Sequence, residues 1–395
     1  MGVQFRFGII SDLHIALPHT IWDIPNRFHL VEVSTHALEQ ALAHLVQLDL
    51  DFLLLPGDLT QHGEGDNHEW LVARLSQLPF PVYVVPGNHD IVQAQAQAGR
   101  IGLSDFPKRY EKFGYGQSAQ PYYVETLLPG VNLIGLNSIA FDDSGQQLPT
   151  GWMDEQQLDW LADTLTCLAD QFTLVMIHHN VLEHLPQQSK SPLGQRYMLK
   201  NADRLLACLQ GTGAKLILTG HLHVQDVARN SEICEITTGS LVSYPHPYRV
   251  VRISQQDNPQ DNSQWQVEIE SHTIQSVPGW PDLPTRSRQW MSDRSFPFMM
   301  KLLTRPPLSL PEAEAAHIAP DLRDFWATIA AGDSQFDVSA LPRRVQRYFE
   351  PFNVPIVDGK PQTIDNFATL SLKVLQNQGL KPSGHICKEG MQSAR

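Results

Sequence analysis

The sequence predicts an α/β fold in which a mainly parallel sheet presents its strand ends along one edge. Three observations lead there. Short apolar runs at 3–10, 51–55, 79–85, 172–177 and 214–218 read as buried strands. Segments with apolar residues at helical spacing separate most of them. Each run closes on polar residues rich in Asp, Asn and His. Strand–helix alternation argues parallel pairing with right-handed crossovers, which carries the C-terminal strand ends to a common edge. Ligands of open α/β sheets bind at that edge.

The first strand, Val3 to Ile10, alternates and then turns fully apolar before ending in Ser11-Asp12-Leu13-His14. Leu30, Val33, Ala37, Ala41, Leu45 and Leu48 then recur at helical spacing, so 27–48 reads as one amphipathic helix. Its His29, His36 and His44 are read as surface or boundary residues. A second strand ends in Pro56-Gly57-Asp58, and a helix over 67–77 leads to the third. That strand, P-V-Y-V-V, is stopped by Pro86-Gly87. Asn88, His89 and Asp90 follow at once. They supply a neutral amide oxygen, an imidazole able to ligate or move a proton, and a carboxylate able to fix an imidazole tautomer.

The connection 91–120 reads as a turn and a short helix placed to lid the site, with an aromatic patch at Tyr110, Phe113 and Tyr115. Strands at 121–125 and 131–137 pair antiparallel, and Asp154 caps a helix that runs to Leu168. The strand over 172–177 ends in His178-His179-Asn180. After a helix over 201–209, the strand over 214–218 ends in Thr219-Gly220-His221-Leu222-His223. Gly220 permits a sharp turn, and the H-x-H spacing lets both imidazoles face one centre. Strand-like runs near 224–228, 233–237, 248–253 and 265–269 suggest a more antiparallel half. Pro278, Pro281 and Pro284 mark a boundary near Val277, beyond which 298–303, 322–331, 342–349 and 364–376 read as helices.

Composition narrows the function classes. The chain has 395 residues, 42% hydrophobic and 18% charged, as a globular protein does. A formal net charge of -13 repels phosphate backbones, so no nucleic-acid partner is expected. No apolar stretch approaches the ~20 residues that span a bilayer, so no membrane partner is expected either. The N-terminus lacks a basic and then apolar leader. Cys167, Cys208, Cys234 and Cys387 are scattered, which argues against a thiolate zinc site or a disulfide framework and points to a reduced cytoplasm.

Asp12, His14, Asp58, Asn88, His89, His178, His221 and His223 all follow apolar strands. Oxygen and imidazole donors without thiolates suit manganese, iron or zinc. They are too many for one closed site and suit two adjacent divalent metal ions sharing a carboxylate. The run D-L-H, G-D, G-N-H-D, H-H and G-H-L-H resembles the signature of the calcineurin-like metallophosphoesterases, over roughly 5–253, and in particular members like the class III cyclic nucleotide phosphodiesterases. Gln157 with Trp160-Leu161 resembles the helix that the family places between the G-N-H-D and His motifs.

The resemblance implies a four-layer α/β sandwich: two mixed central sheets flanked by helices, over 1–277, with a mostly helical extension over 278–395. It implies Asp12, His14 and His223 on one ion, Asn88, His178 and His221 on the other, and Asp58 between them. His89 becomes the catalytic histidine, oriented by Asp90, with Asn88, His89 and His179 facing substrate. The implied activity is hydrolysis of a small soluble phosphodiester, such as a cyclic nucleotide or glycerophosphodiester, through in-line attack by a hydroxide held between the ions. A phosphomonoesterase of the same fold and a metal-free scaffold are the other readings. One departure stands out: Asn180 and Val181 follow the double His where class III members usually carry prolines. The extension is open to three roles, as a cap on the pocket, a dimer interface of a homo-oligomer, or packing against the sheet.

Overall fold

Residues 2–22, 27–168, 171–256 and 264–374 are described by a computed structural model. β1 (Gln4–Ile9) pairs parallel with β2 (Phe52–Leu55), and β2 pairs parallel with β3 (Val82–Val84). The chain then crosses to a second sheet. There β4 (Tyr123–Leu128), β5 (Val131–Gly135), β6 (Phe172–Met176), β7 (Ala214–Thr219), β8 (Asp226–Arg229) and β9 (Cys234–Thr237) lie in the order β4-β5-β6-β7-β9-β8. Pairing is parallel from β5 through β9 and antiparallel at both edges. β10 (Pro247–Gln255) returns antiparallel to β1, and β11 (Gln264–Thr273) is antiparallel to β10. After several helices and a hairpin of β12 (Ile356–Val357) with β13 (Lys360–Pro361), β14 (Phe367–Lys373) closes the first sheet against β11.

The period of two decides which faces meet. Along the second sheet, Leu133, Leu174, Met176, Leu216 and Leu218 join the core shared with the first sheet. Their neighbours Ile134, Val175, Ile177 and Ile217 turn to the opposite face. There they pack against Leu158, Leu161 and Leu165 of helix Glu155–Leu168 and Leu205 and Leu209 of helix Ala202–Leu209. Phe5 and Phe172 bring the sheets together at a ring separation of 6.3 Å. Helices Ser34–Leu45 and Gly65–Leu75 cover the outer face of the first sheet through Leu38, Leu42, Leu45, Leu71 and Leu75. The expected four-layer sandwich with two mixed sheets is the observed architecture. Asp154 caps its helix as the sequence suggests, accepting the Gln157 N–H at 2.8 Å.

Three local expectations are corrected. The segment 91–120 is no lid, because Tyr110, Phe113 and Tyr115 are buried in the main core, where Tyr110 Oη meets His68 Nδ1 at 2.8 Å. The first helix begins at Ser34, after a short 3-10 turn over Val31–Val33, so His29 lies ahead of it. The segment 364–376 is not helical where it is described: Phe367–Lys373 is a strand that buries Leu370 and Leu372. Residues 375 and 376, like Cys387, lie outside the described residues.

Helices Leu283–Arg294, Phe296–Thr304, Glu312–Ile318, Phe325–Ala330 and Arg343–Phe349 gather around Met299, Leu303, Phe325 and Phe349. Leu222 and Val224, from the loop after β7, are part of the same cluster. The helical layer therefore sits against the strand ends. Among the described residues, no helix is long and apolar enough to cross a membrane.

Candidate metal centre

The pairing of β1 with β2 continues past both strands as single hydrogen bonds. The Asp12 N–H reaches Gly57 O at 3.2 Å, and the His14 N–H reaches Asp58 O at 2.9 Å. This register sets the two carboxylates side by side. Asp12, His14, Asp58, His221 and His223 all adopt positive φ, from 42° to 65°. Left-handed backbone costs a non-glycine residue on the order of 1–3 kcal/mol, so packing must hold each of these turns. Two glycines are required by close approach. A Cβ on Gly220 would lie 2.1 Å from Ser11 Oγ and 2.4 Å from Asp12 Oδ2, and one on Gly87 would lie 2.1 Å from the Asp58 backbone N.

The donors predicted from five separate motifs meet in one place. Asp12, His14, Asp58 and His223 offer ligand atoms that all lie within 4.8 Å of one another. His223 Nε2 is 3.0 Å from Asp12 Oδ1 and 3.4 Å from His14 Nε2. Asp58, His178 and His221 form a second such group. His178 Nε2 is 3.3 Å from Asp58 Oδ2 and 3.2 Å from Asn88 Oδ1. Asp58 is common to both groups.

The chemistry of this donor set fits a cation. His178 Nδ1 donates to Pro56 O at 2.8 Å, so Nε2 is the atom turned toward two oxygens. A neutral imidazole would aim its lone pair at acceptors there, and only positive charge resolves that clash. Without an ion a proton supplies it: burial opposes the charge, yet Asp58 raises His178 to about 9. Burial likewise works against ionised Asp58, but His178 and His89 hold its carboxyl well below the usual range. His14 and His221 are driven well below the ordinary imidazole range, first by burial and then by neighbouring imidazoles. Neutral imidazoles with lone pairs are what metal ligation needs.

Asn88 and His89 are half-buried on the floor of a cavity of about 110 Å³ above these groups. The His89 N–H donates to Asp58 Oδ1 at 2.7 Å, and His89 Nδ1 lies 2.7 Å from Gln61 O. Gln61, and not Asp90, thus orients the imidazole. The Asp90 carboxylate instead accepts the backbone N–H groups of Gly87, Leu59 and Thr60 at 2.8–3.1 Å and the Thr60 hydroxyl at 3.1 Å. It fastens the G-N-H-D turn to the loop after β2. Burial first, and Asp58 second, push Asp90 up to about 7 despite those donors. His179 is also displaced from its expected place. It is 3% exposed, pairs Nδ1 with Ser138 Oγ at 2.8 Å, and packs beneath His221 at a ring distance of 4.3 Å, away from the cavity.

The residues that sequence reasoning missed are His29, Arg196, Tyr197 and Trp326, which line the cavity. His29 lies 4.4 Å from His14 and 4.5 Å from His223 between ring centroids, and the three form a further group of potential ligands. Asn180, the departure after the double His, is buried. Its amide donates to Thr219 Oγ1 at 3.0 Å and to Glu235 Oε1 at 3.3 Å, tying the two histidine motifs together.

The family model described as calcineurin-like phosphoesterase matches residues 5–225, more than half of the chain. A 3',5'-cyclic-nucleotide phosphodiesterase of Nostoc sp. is 29% identical over 176 residues, which cover 44% of this chain and 56% of the relative. The 3',5'-cyclic adenosine monophosphate phosphodiesterase CpdA of Haemophilus influenzae is 29% identical over 233 residues, covering 58% of this chain and 74% of the relative. The crystal structure of a dimetal phosphatase from Danio rerio superposes with a TM-score of 0.53 at 15% identity, covering 68% of this chain and 96% of that one, and so shares its fold. With its strand-end motifs gathered at one edge and the family model matched through the G-H-L-H turn, the chain belongs to the calcineurin-like phosphoesterase family.

Proposed function

We propose that the protein is a metal-dependent phosphodiesterase acting on a small phosphodiester. The observation that carries this reading is the sharing of Asp58 between two donor groups beneath a cavity floored by Asn88 and His89. Asp12, His14 and His223 would hold one divalent ion, His178, His221 and Asn88 the other, and Asp58 would bridge them. Bound there, the ions supply Lewis acidity and a water activated at neutral pH. Manganese, iron and zinc all suit the donors.

The chain's own residues do the rest. Asn88 contributes an oxygen without another negative charge, which keeps the centre attractive to a phosphate. His89 is fixed through Nδ1 by Gln61 O, leaving Nε2 to the cavity. From there it donates to a phosphoryl oxygen or protonates the leaving alkoxide. Two relatives named as cyclic-nucleotide phosphodiesterases support a diester over a monoester. A cytoplasmic location rests on the scattered cysteines, and treating 278–395 as a cap rests on the helical layer at the strand ends.

The test is hydrolysis of bis-aryl and mono-aryl phosphates by protein reconstituted with manganese, iron or zinc. Metal-dependent turnover with the bis-aryl ester preferred is the expected result. Preference for the mono-aryl ester would contradict the diesterase reading, and no turnover with any metal would contradict the enzyme.

A further inference from the structure

A second, larger cavity opens beside the centre. It measures about 350 Å³ and shares Phe28, His29, Arg196, Tyr197 and Trp326 with the cavity over the metal donors. One further wall is the segment 185–194, and another comes from the chain beyond residue 283 through Phe298, Tyr348 and Phe352. These rings and Trp326 are only half-buried, so the fold leaves aromatic faces turned into a space it does not fill. Among the described residues no carboxylate lines this cavity, although the chain as a whole carries a net charge of -13. Its charged lining is Arg196, Arg294 and Lys301. Positive charge beside an apolar, ring-walled space matches an anion that carries an apolar body.

Part of the cavity wall comes from outside the family match, while Phe28, His29, Arg196, Tyr197 and the segment 185–194 lie within it. The family match ends at residue 225, whereas the walls at 298, 326, 348 and 352 lie beyond it. The layer is locked over the centre by Trp290 Nε1, which donates to Arg27 O at 3.0 Å, and by the Gln225 N–H, which donates to Ala330 O at 3.1 Å. Phe28 meets Phe298 at a ring distance of 6.4 Å. The segment carrying His29 is thus held by the same helices that wall the cavity.

Building on the diesterase reading, we infer that this cavity receives the apolar ester group of the substrate while the phosphate sits at the metal donors. The substrate class is an amphiphilic phosphodiester, one ester of which carries a ring-sized apolar group. The C-terminal helices are then the specificity element of the enzyme. Benzene-sized groups fit a space of this volume, and aromatic walls meet a ring edge-on or offset.

The experiment compares methyl p-nitrophenyl phosphate with benzyl p-nitrophenyl phosphate on the full chain loaded with manganese. Both release the same phenolate, and both retained esters are alkyl, so intrinsic reactivity is nearly constant. The expected result is a kcat/KM roughly tenfold or more higher for the benzyl ester, from burial of the ring. In the double variant Phe298→Ala with Tyr348→Ala, that ratio falls toward one through KM, with kcat for the benzyl ester and metal content retained. Inhibition of the parent protein by benzylphosphonate and methylphosphonate gives the same ratio without any variant. Equal kcat/KM for the two esters, or equal inhibition by the two phosphonates, would overturn the inference while leaving the diesterase reading intact. Turnover of neither ester would contradict the diesterase reading and remove the inference with it.

Discussion

His89 and Asp90 are neighbours in sequence that do different work. The imidazole of His89 faces the cavity with Nδ1 at Gln61 O, while Asp90 spends its oxygens on backbone N–H groups from two loops. Replacing His89 with Ala should therefore lower turnover about 10²–10⁴-fold, the usual worth of general acid–base help, and leave metal content unchanged. Asp90→Ala should act through structure, because three buried donors lose their acceptor at about 1–3 kcal/mol each. Thermal melts and metal analysis of the two variants separate these roles. An Asp90→Ala protein with parental melting temperature, or an His89→Ala protein short of metal, would contradict the assignment. The clustered donor residues were legible in the sequence because each follows an apolar run at a strand end. The division between His89 and Asp90 was not, because Gln61 and Thr60 reach them from a loop some thirty residues away.

The loop after His178 shows how an element holds its donors. Glu235 on β9 accepts the Val181 N–H at 3.0 Å and the Leu182 N–H at 2.6 Å, and it lies 3.0 Å from His184 Nε2. His184 Nδ1 meets Asp226 Oδ2 at 2.6 Å. Burial disfavours its charge, but Glu235 and Asp226 raise His184 to about 10. An unfolded histidine titrates near 6.5. The raised value means that its contribution to stability is complete below about pH 6.5 and is lost as pH climbs through about 10. His184→Gln should therefore destabilise the protein more at pH 7 than at pH 10. Melting temperatures of parent and variant across that range check this, and a gap that stays constant with pH would contradict it. Local signals read such elements unevenly. Leu30 and Val33 continue the spacing of the first helix, which concealed that Leu30 donates instead to Val242 O and leaves His29 at the centre. Leu370 and Leu372 fit a helix or a strand equally well, and the partner that decides, β11, is about a hundred residues earlier.

Across the whole molecule, two sheets contribute complementary donors: Asp12, His14, Asp58 and Asn88 come from loops of the first, and His178, His221 and His223 from loops of the second. The sandwich core fixes the distance between the sheets, and so between the donor groups. The sequence revealed the alternation of strands and helices and the family of the centre. It did not reveal that the helices after residue 283 pack against Leu222 and Val224 at the strand ends, or that Phe367–Lys373 returns a strand to the first sheet, because those contacts are long-range. Anomalous X-ray diffraction from crystals of the manganese-loaded protein decides whether Asp58 joins two ions, as proposed. Two peaks flanking the Asp58 carboxylate are expected in the parent protein and fewer than two in Asp58→Ala. A single peak in the parent protein, or two undiminished peaks in the variant, would contradict the bridge.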